Sequence, residues 1–310
     1  LGKAKTLIAV VGPTAIGKTA MAIKLAQHFE TEIISADSRQ FFKEMSIGTA
    51  KPNAQELKAA KHHFIGAISV QDDYNVGDFE AQALVTLQHI FEKNKVAIMV
   101  GGSGLYVNAV LYGFDELPKA PAQVREGLNA RLAEEGLPAL QQDLQKLDPA
   151  YYAEVDLNNP QRVIRALEVC ISTGKPFSSF RRQKQRRERD FEYILIGLNA
   201  DREWLYQRIN ERVDLMMQDG LVEEVKSLQT FQHSNALKTV GYSEIFRYLN
   251  GEWTLAQAVD KLKQNTRNFA KRQITWFKKN EGIRWFNPQQ FDEVVTFIES
   301  KLNDEKTEHG

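Results

Sequence analysis

Hydrophobic and polar positions along the chain follow two alternating rhythms. Short apolar runs at Leu7–Val11 and Val96–Val100 read as buried strands, and Glu32–Ser35, Tyr193–Leu198 and Ile283–Phe286 read as further strands. Phe64–Val70 reads as a further short strand. Between these runs apolar residues recur at helical spacing: Ala20–Phe29, a capped helix from Asn75 and Asp78 to Phe91, and Leu105–Tyr112. A short helix starts at Asn53, Asp201 caps another, and a Thr254/Gln257 capping box opens a long helix through Phe277 before a closing helix. Strand–helix alternation of this kind predicts an α/β fold with a parallel sheet flanked by helices.

The rhythm changes near Asp115. Pro118 and Pro121 interrupt the chain, and no clear strand returns until Tyr193. Gly136 separates two helices, Asp148-Pro149 and Asn159-Pro160 each mark a helix start, and Gly174 ends the last one. This predicts an all-helical insertion over 115–189 in a core made of 1–114 and 190–310.

Candidate chemistry starts where the first strand ends. Gly12-Pro13-Thr14-Ala15-Ile16-Gly17-Lys18-Thr19 fits G-x-x-x-x-G-K-[ST] between a strand and a helix. Its glycines let several backbone N–H groups point inward, and the helix N-terminus adds positive potential. Lys18 brings a mobile cation, and Thr19 a hydroxyl for Mg²⁺. Asp37, after the second strand, is expected to face this loop, because ligands of open α/β sheets sit beyond the strand carboxyl ends. Its ordinary alternative is a turn or cap aspartate. A triphosphatase normally has an Asp closing a strand such as Val96–Val100. Here Gly101-Gly102-Ser103-Gly104 follows instead, and Ser103 is a second hydroxyl for the site or a helix cap. Arg208 and Arg212 stand one turn apart, either to hold one anion or to pair with Glu211 or Asp201 on the surface. His62 and His63 are adjacent, without further ligands at metal spacing.

Charge changes the picture locally. The 310 residues carry 40 Lys+Arg and 40 Asp+Glu, yet residues 161–285 hold 23 basic against 15 acidic groups. A basic half within a neutral chain suits a phosphate-rich partner or a solvated face equally. Arg181–Arg189 is the densest basic run, either a backbone contact or a solvated linker. Arg162 and Arg165 share one helix face, and basic and aromatic residues alternate over Asn265–Phe277, as they would against RNA or on a packed helix with a basic outer face. No apolar run suits a membrane span or a signal-peptide core, so no membrane partner is expected. One cysteine, Cys170, precludes an intrachain disulfide and agrees with a cytoplasmic protein. We expect a monomer.

Seven segments together resemble the bacterial tRNA dimethylallyltransferases: Gly12–Thr19, Ile34–Gln40, Ile47–Pro52, Val100–Tyr106, Asn159–Glu168, Val240–Tyr242 and Ala270–Phe277. They run in the family's order over nearly the whole chain. The resemblance implies a P-loop NTPase-like core with a helical insertion. It implies transfer of a dimethylallyl group from dimethylallyl diphosphate to N6 of adenosine 37, in the anticodon stem-loop of tRNAs reading codons that begin with U. On matching positions it implies diphosphate binding by Gly12, Pro13, Thr14, Ala15, Ile16, Gly17, Lys18, Thr19 and Arg212, with Mg²⁺ near Thr19. Asp37 would be the general base, with Ser103 near the acceptor. Contacts to tRNA would come from Asp37, Ser38, Arg39, Gln40, Ser103, Arg125, Gln161, Arg162, Val163, Ile164, Arg165, Lys238, Thr239, Val240, Gly241, Tyr242 and Ser243. Two departures stand out: Phe41-Phe42 replaces a Val-Tyr-like pair, and the zinc finger of eukaryotic relatives is absent. The rival readings are a P-loop small-molecule kinase, prenyl transfer to a free adenine nucleotide, and a non-catalytic RNA-binding module.

Overall fold

The computed structural model describes residues 5–114, 117–181 and 188–308. They group into two compact units, one of Leu1–Tyr112 with Glu188–Gly310, the other of Gly113–Arg187.

The first unit carries the sheet. Its elements before the second unit are β1 (Thr6–Val11), α1 (Lys18–His28), β2 (Ile33–Ser35), α2 (Ala54–Ala59), β3 (His62–His63), α3 (Val76–Phe91), β4 (Val96–Gly101) and α4 (Gly104–Tyr112). The second unit holds α5 (Ala122–Glu135), α6 (Leu137–Leu147), α7 (Pro149–Glu154) and α8 (Pro160–Thr173). The first unit then resumes with β5 (Glu192–Leu198), α9 (Arg202–Gln218), α10 (Leu221–Ser227), α11 (Tyr242–Leu249), α12 (Leu255–Phe277), β6 (Arg284–Phe286) and α13 (Phe291–Glu308).

Six parallel strands lie in the order β3-β2-β4-β1-β5-β6. Central β1 is buried along its length, which is why it reads as a continuous apolar run rather than an alternation. Its residues still divide by face. Ile8 and Val10 pack with Leu25 of α1, Ile209 of α9 and Ile298 of α13. Leu7, Ala9 and Val11 pack with Phe79 of α3 and Val110 of α4. A third cluster joins α9–α12 to the segment after β2: Leu221, Val225, Tyr242, Ile245 and Leu262 enclose Phe42 and Met45. Each fully buried side chain of this size contributes about 1.5–3 kcal/mol of transfer free energy. Phe41, at the family departure, is 1% exposed and stacks on Phe79 at 5.1 Å.

Two local expectations are corrected. Phe64–Val70 is not a strand. β3 is only His62–His63, after which Phe64 and Gly66 take positive φ of 65° and 57° and turn the chain; Ile68 forms a single bridge to Phe42. Asp201 precedes α9 without a side-chain cap, and its backbone carbonyl accepts from the Leu205 N–H. The histidines have ordinary partners, Glu32 for His63 and the Ala60 carbonyl for His62.

The second unit is helical around Leu128, Leu140, Leu144, Leu167 and Phe177. Its sequence punctuation works as the residue types require. Gly136 (φ 79°) joins α5 to α6, Asn159 caps α8, and Gly174 (φ 66°) ends it. Asp148, 1% exposed, caps α7 through Tyr151 N–H and accepts from both the N–H and the hydroxyl of Ser178. Among the described residues no helix is long and apolar enough to cross a membrane.

Candidate active site

The carboxyl ends of β1, β2 and β4 open into a cavity of about 880 Å³ in the first unit. After β1 the chain must pass close under β5. Gly12 has φ 145°, and a Cβ there would stand 2.5 Å from the Leu198 carbonyl oxygen. Gly17 (φ 100°) and Ala15 (φ 64°) then curl the loop back into α1, whose first turn has no acidic residue to quench its positive end. Ile16 is fully buried, so its side chain serves the core and only its backbone can serve a ligand. Thr14, Gly17, Lys18 and Thr19 line the cavity.

The site's cations are strongly perturbed. Lys18 donates to the Pro13 carbonyl at 2.7 Å, and burial pushes its ammonium down to about 8. Asp37 opposes that shift and Arg212 adds to it. Arg212 is likewise lowered by burial, with Asp37 again opposing and Arg208 adding. Asp37 therefore interacts with both half-buried cations from the end of β2. Its Oδ1 accepts the Arg39 N–H at 3.1 Å, which fixes the carboxylate's direction. Arg208 donates from Nε to the Ala15 carbonyl at 3.0 Å and lies over the Trp204 ring. It is a brace for the phosphate loop rather than a partner of Glu211 or Asp201. Ser103 Oγ accepts the Ser38 N–H at 3.0 Å and stands 3.1 Å from Ser38 Oγ, joining the turns after β2 and β4.

The absence of a strand-end Asp on β4 has a steric cause. A Cβ on Gly101 would collide with the Ala36 carbonyl, so no acidic side chain fits there. At Gly102 the nearest neighbour of a Cβ would be the side-chain amide of Gln273. Gln273, 6% exposed on α12, accepts the Thr14 N–H at 2.8 Å and donates to the Gly102 carbonyl at 3.0 Å. It clamps the phosphate loop to the turn after β4, a role that sequence reasoning missed. Its signal was a polar residue in register with the buried Ala270 and Phe277 of the same helix. On the open side Phe269, Arg272 and Trp276 line the cavity.

Several expected nucleic-acid contacts have other duties. Arg39 gives its guanidinium to the Asn235 and Ala236 carbonyls. Gln40, 8% exposed, donates to the Thr49 and Ala50 carbonyls. Tyr242 is fully buried with its hydroxyl on Glu224, so its side chain cannot reach an RNA. Thr239, Val240 and Gly241 line the cavity, while Lys238 and Ser243 are exposed.

In the second unit Val163 and Ile164 are core residues, 0% and 1% exposed, because they fall on the apolar face of α8. Their side chains are corrected from RNA contacts to packing. Arg125 and Arg165 both bind the buried carboxylate of Glu168. Burial alone would raise that carboxyl, but the two guanidiniums hold it below its usual range. Gln161 and Arg162 are exposed. Of the basic run, Arg181 pairs with Glu154 and Arg189 with Glu80; residues 182–187 lie outside the described residues. No group of three or more His, Cys, Asp or Glu side chains suited to a metal occurs among the described residues.

The chain is similar to known proteins along nearly its whole length. The IPP transferase family model matches residues 40–280. A tRNA dimethylallyltransferase of Christiangramia forsetii is 56% identical over 301 residues, covering 96% of this chain and 98% of its own. One from Bacteroides thetaiotaomicron is 47% identical over 94% of this chain and 95% of its own. Among solved structures, the tRNA isopentenylpyrophosphate transferase of Bacillus halodurans superposes with a TM-score of 0.73 at 38% identity, over 99% of this chain and 100% of its own. A eukaryotic dimethylallyltransferase described as acting on tRNA superposes at 0.77 with 26% identity, over 93% of this chain and 75% of its own. With its phosphate loop, the glycine-closed end of β4 and matches of this extent, the chain belongs to the IPP transferase family.

Proposed function

We propose that this protein transfers a dimethylallyl group from dimethylallyl diphosphate to N6 of adenosine 37 in tRNAs reading codons that begin with U, acting as a cytoplasmic monomer. The observation that carries the reading is that half-buried Lys18 and Arg212 and one carboxylate, Asp37, line a single cavity and act electrostatically on one another. The adenosine leaves its stack to enter that cavity. Its N6 attacks C1 of the dimethylallyl group as the C1–O bond to diphosphate breaks. The N6 proton passes to Asp37, and the departing charge is met by Lys18, Arg212 and the loop N–H groups. An exocyclic adenine amine is a weak nucleophile, so removing its proton as the bond forms is the carboxylate's contribution.

Mg²⁺ fits this donor set in one form. It characteristically keeps several waters and binds substrate phosphates with few protein ligands. Thr19 supplies one hydroxyl, consistent with a site that has no carboxylate cluster. Bound there, the ion would neutralise diphosphate charge. The kinase reading is disfavoured by Gly101, whose surroundings exclude the acidic residue it needs. The direct test is incubation with radiolabelled dimethylallyl diphosphate, Mg²⁺ and unmodified tRNA; label is expected in the tRNA, and brisk ATP turnover without label transfer would restore the kinase.

A pH dependence follows from Lys18. Before an anion binds, burial disfavours its ammonium, so the proton is lost as pH rises through about 8. Affinity for inorganic diphosphate is therefore expected to be highest below that pH and to fall by up to roughly tenfold per unit above it. Calorimetric titration across this range checks the sign; an affinity that climbs with pH would contradict it.

On the acceptor side, Arg162 is the exposed arginine of the helical unit to test. Arg162→Glu is expected to weaken tRNA binding and flatten its salt dependence by about one phosphate contact or more. Arg165→Glu is a poor probe, since it would set a second carboxylate against buried Glu168. Unchanged tRNA affinity in folded Arg162→Glu would leave that residue a solvated surface charge.

A further inference from the structure

Glu224 lies on α10, outside every segment that carries the family resemblance, yet its carboxylate accepts four hydrogen bonds. Oε2 accepts the N–H groups of Ser46 and Ile47 at 2.9 and 2.8 Å. Oε1 accepts the Gly48 N–H at 3.0 Å and the Tyr242 hydroxyl at 2.6 Å. Three successive backbone N–H groups converging on one anion form a nest, of the kind proteins use to hold phosphates. Here the anion is the protein's own, and what it holds is a loop.

That loop continues into the cavity wall. Gly48 passes so close beneath Tyr242 that a Cβ would stand 2.6 Å from the ring. Thr49, next in the chain, presents its carbonyl to two groups at once: Gln40 Nε2 at 3.0 Å and Arg212 Nη2 at 3.4 Å. Gln40 closes the turn that begins at Asp37, with its N–H on the Asp37 carbonyl at 3.1 Å. Glu224 thus anchors one strip of backbone, and that strip meets both the Arg212 guanidinium and the turn carrying Asp37. Gly48 to Pro52 and Thr239 to Gly241 all line the cavity.

We propose that Glu224 is a positioning residue for the transfer reaction: through the Ser46–Gly48 nest and Tyr242 it fixes the Thr49 carbonyl, which holds Arg212 in register with the departing diphosphate. The inference rests on the reading of Arg212 given above. A carboxylate suits the task because all four of its contacts are donors. An amide of the same shape offers one accepting oxygen and turns an NH₂ toward N–H groups.

The test is a double-mutant cycle on single-turnover dimethylallyl transfer to tRNA, using wild type, Glu224→Gln, Arg212→Ala and the double variant, with melting temperature and tRNA affinity measured for each. Misplacement of a reacting group by about 1 Å costs on the order of 10²-fold. Glu224→Gln is expected to lose roughly 10–100-fold in rate, with tRNA affinity within about threefold. In the Arg212→Ala background the same change is expected to cost less than about threefold, because the residue it positions is gone. Multiplicative losses would overturn the proposal and make Glu224 a general structural residue, as would a Glu224→Gln variant of wild-type rate. If Glu224→Gln does not fold, Tyr242→Phe, which removes one of the four donors and keeps the ring, enters the same cycle with a smaller expected loss and the same non-additivity. A wild-type protein that transfers no dimethylallyl group at all would instead remove the functional reading beneath the proposal.

Discussion

Asp37→Asn is expected to lower the rate of dimethylallyl transfer by about 10²–10⁴, the usual cost of losing a general base. The amide keeps the side chain's size and can still accept the Arg39 N–H that orients Asp37. What it loses is the capacity to take the N6 proton at neutral pH. The fold should survive, because Asp37 stands on a turn that lines an open cavity and belongs to none of the apolar clusters. The substitution also removes a negative charge that supports both Lys18 and Arg212. Before donor binds, the Lys18 ammonium of the variant should consequently lose its proton at lower pH. Rates are therefore compared at saturating donor and tRNA and at a pH below the Lys18 transition. Near-normal chemistry under those conditions would remove Asp37 as the base. Weakened tRNA binding with intact chemistry would make it a binding residue, and Ser103 the next group to test.

Lys18→Ala should have an effect of comparable size through a different term. Its cation matters most as the C–O bond breaks and charge gathers on the diphosphate, so its loss should fall on turnover more than on donor affinity. Removing one such stabilising group typically costs about 10²–10³ in rate. Because Arg212 meets the same anion in the proposed reaction, the variant should retain measurable transfer. Removing a half-buried ammonium that desolvation disfavours also relieves part of that cost, so the variant's thermal stability should equal or exceed that of the wild type. A variant that binds donor weakly but turns over normally once saturated would mean Lys18 contributes uniform binding only.

The sheet and the phosphate loop were legible because both are written locally. Leu7–Val11 declares a strand by composition, and Gly12–Thr19 encodes its own turn. The helical punctuation of the second unit is local in the same sense, from Asp148 to Gly174. What escaped is what depends on partners far along the chain. Gln273 meets Thr14 across 259 positions, and Glu224 meets Ser46 across 178. A polar residue carries no mark of whom it will meet, so neither could be assigned. The motif that matched the family around α8 held a further trap. Val163, Ile164 and Leu167 repeat at helical spacing, a core signature that outranks a role as RNA contacts. Tyr242 behaves alike: its ring fills the space that Gly48 leaves, and its hydroxyl serves Glu224. In the first unit, the reading of Phe64–Val70 as a strand failed because Phe64 and Gly66 leave the β region, which apolar content alone does not reveal.

The measurement that bears most directly on the central claim is nucleoside analysis of an unmodified tRNA that reads a codon beginning with U, after incubation with the wild-type protein, labelled dimethylallyl diphosphate and Mg²⁺. The same tRNA with guanosine in place of adenosine 37, and free adenosine monophosphate, serve as alternative acceptors. The account expects the label in N6-isopentenyladenosine from the first tRNA alone. Label in the monophosphate but not in the tRNA, or equal label in the tRNA lacking adenosine 37, would contradict it.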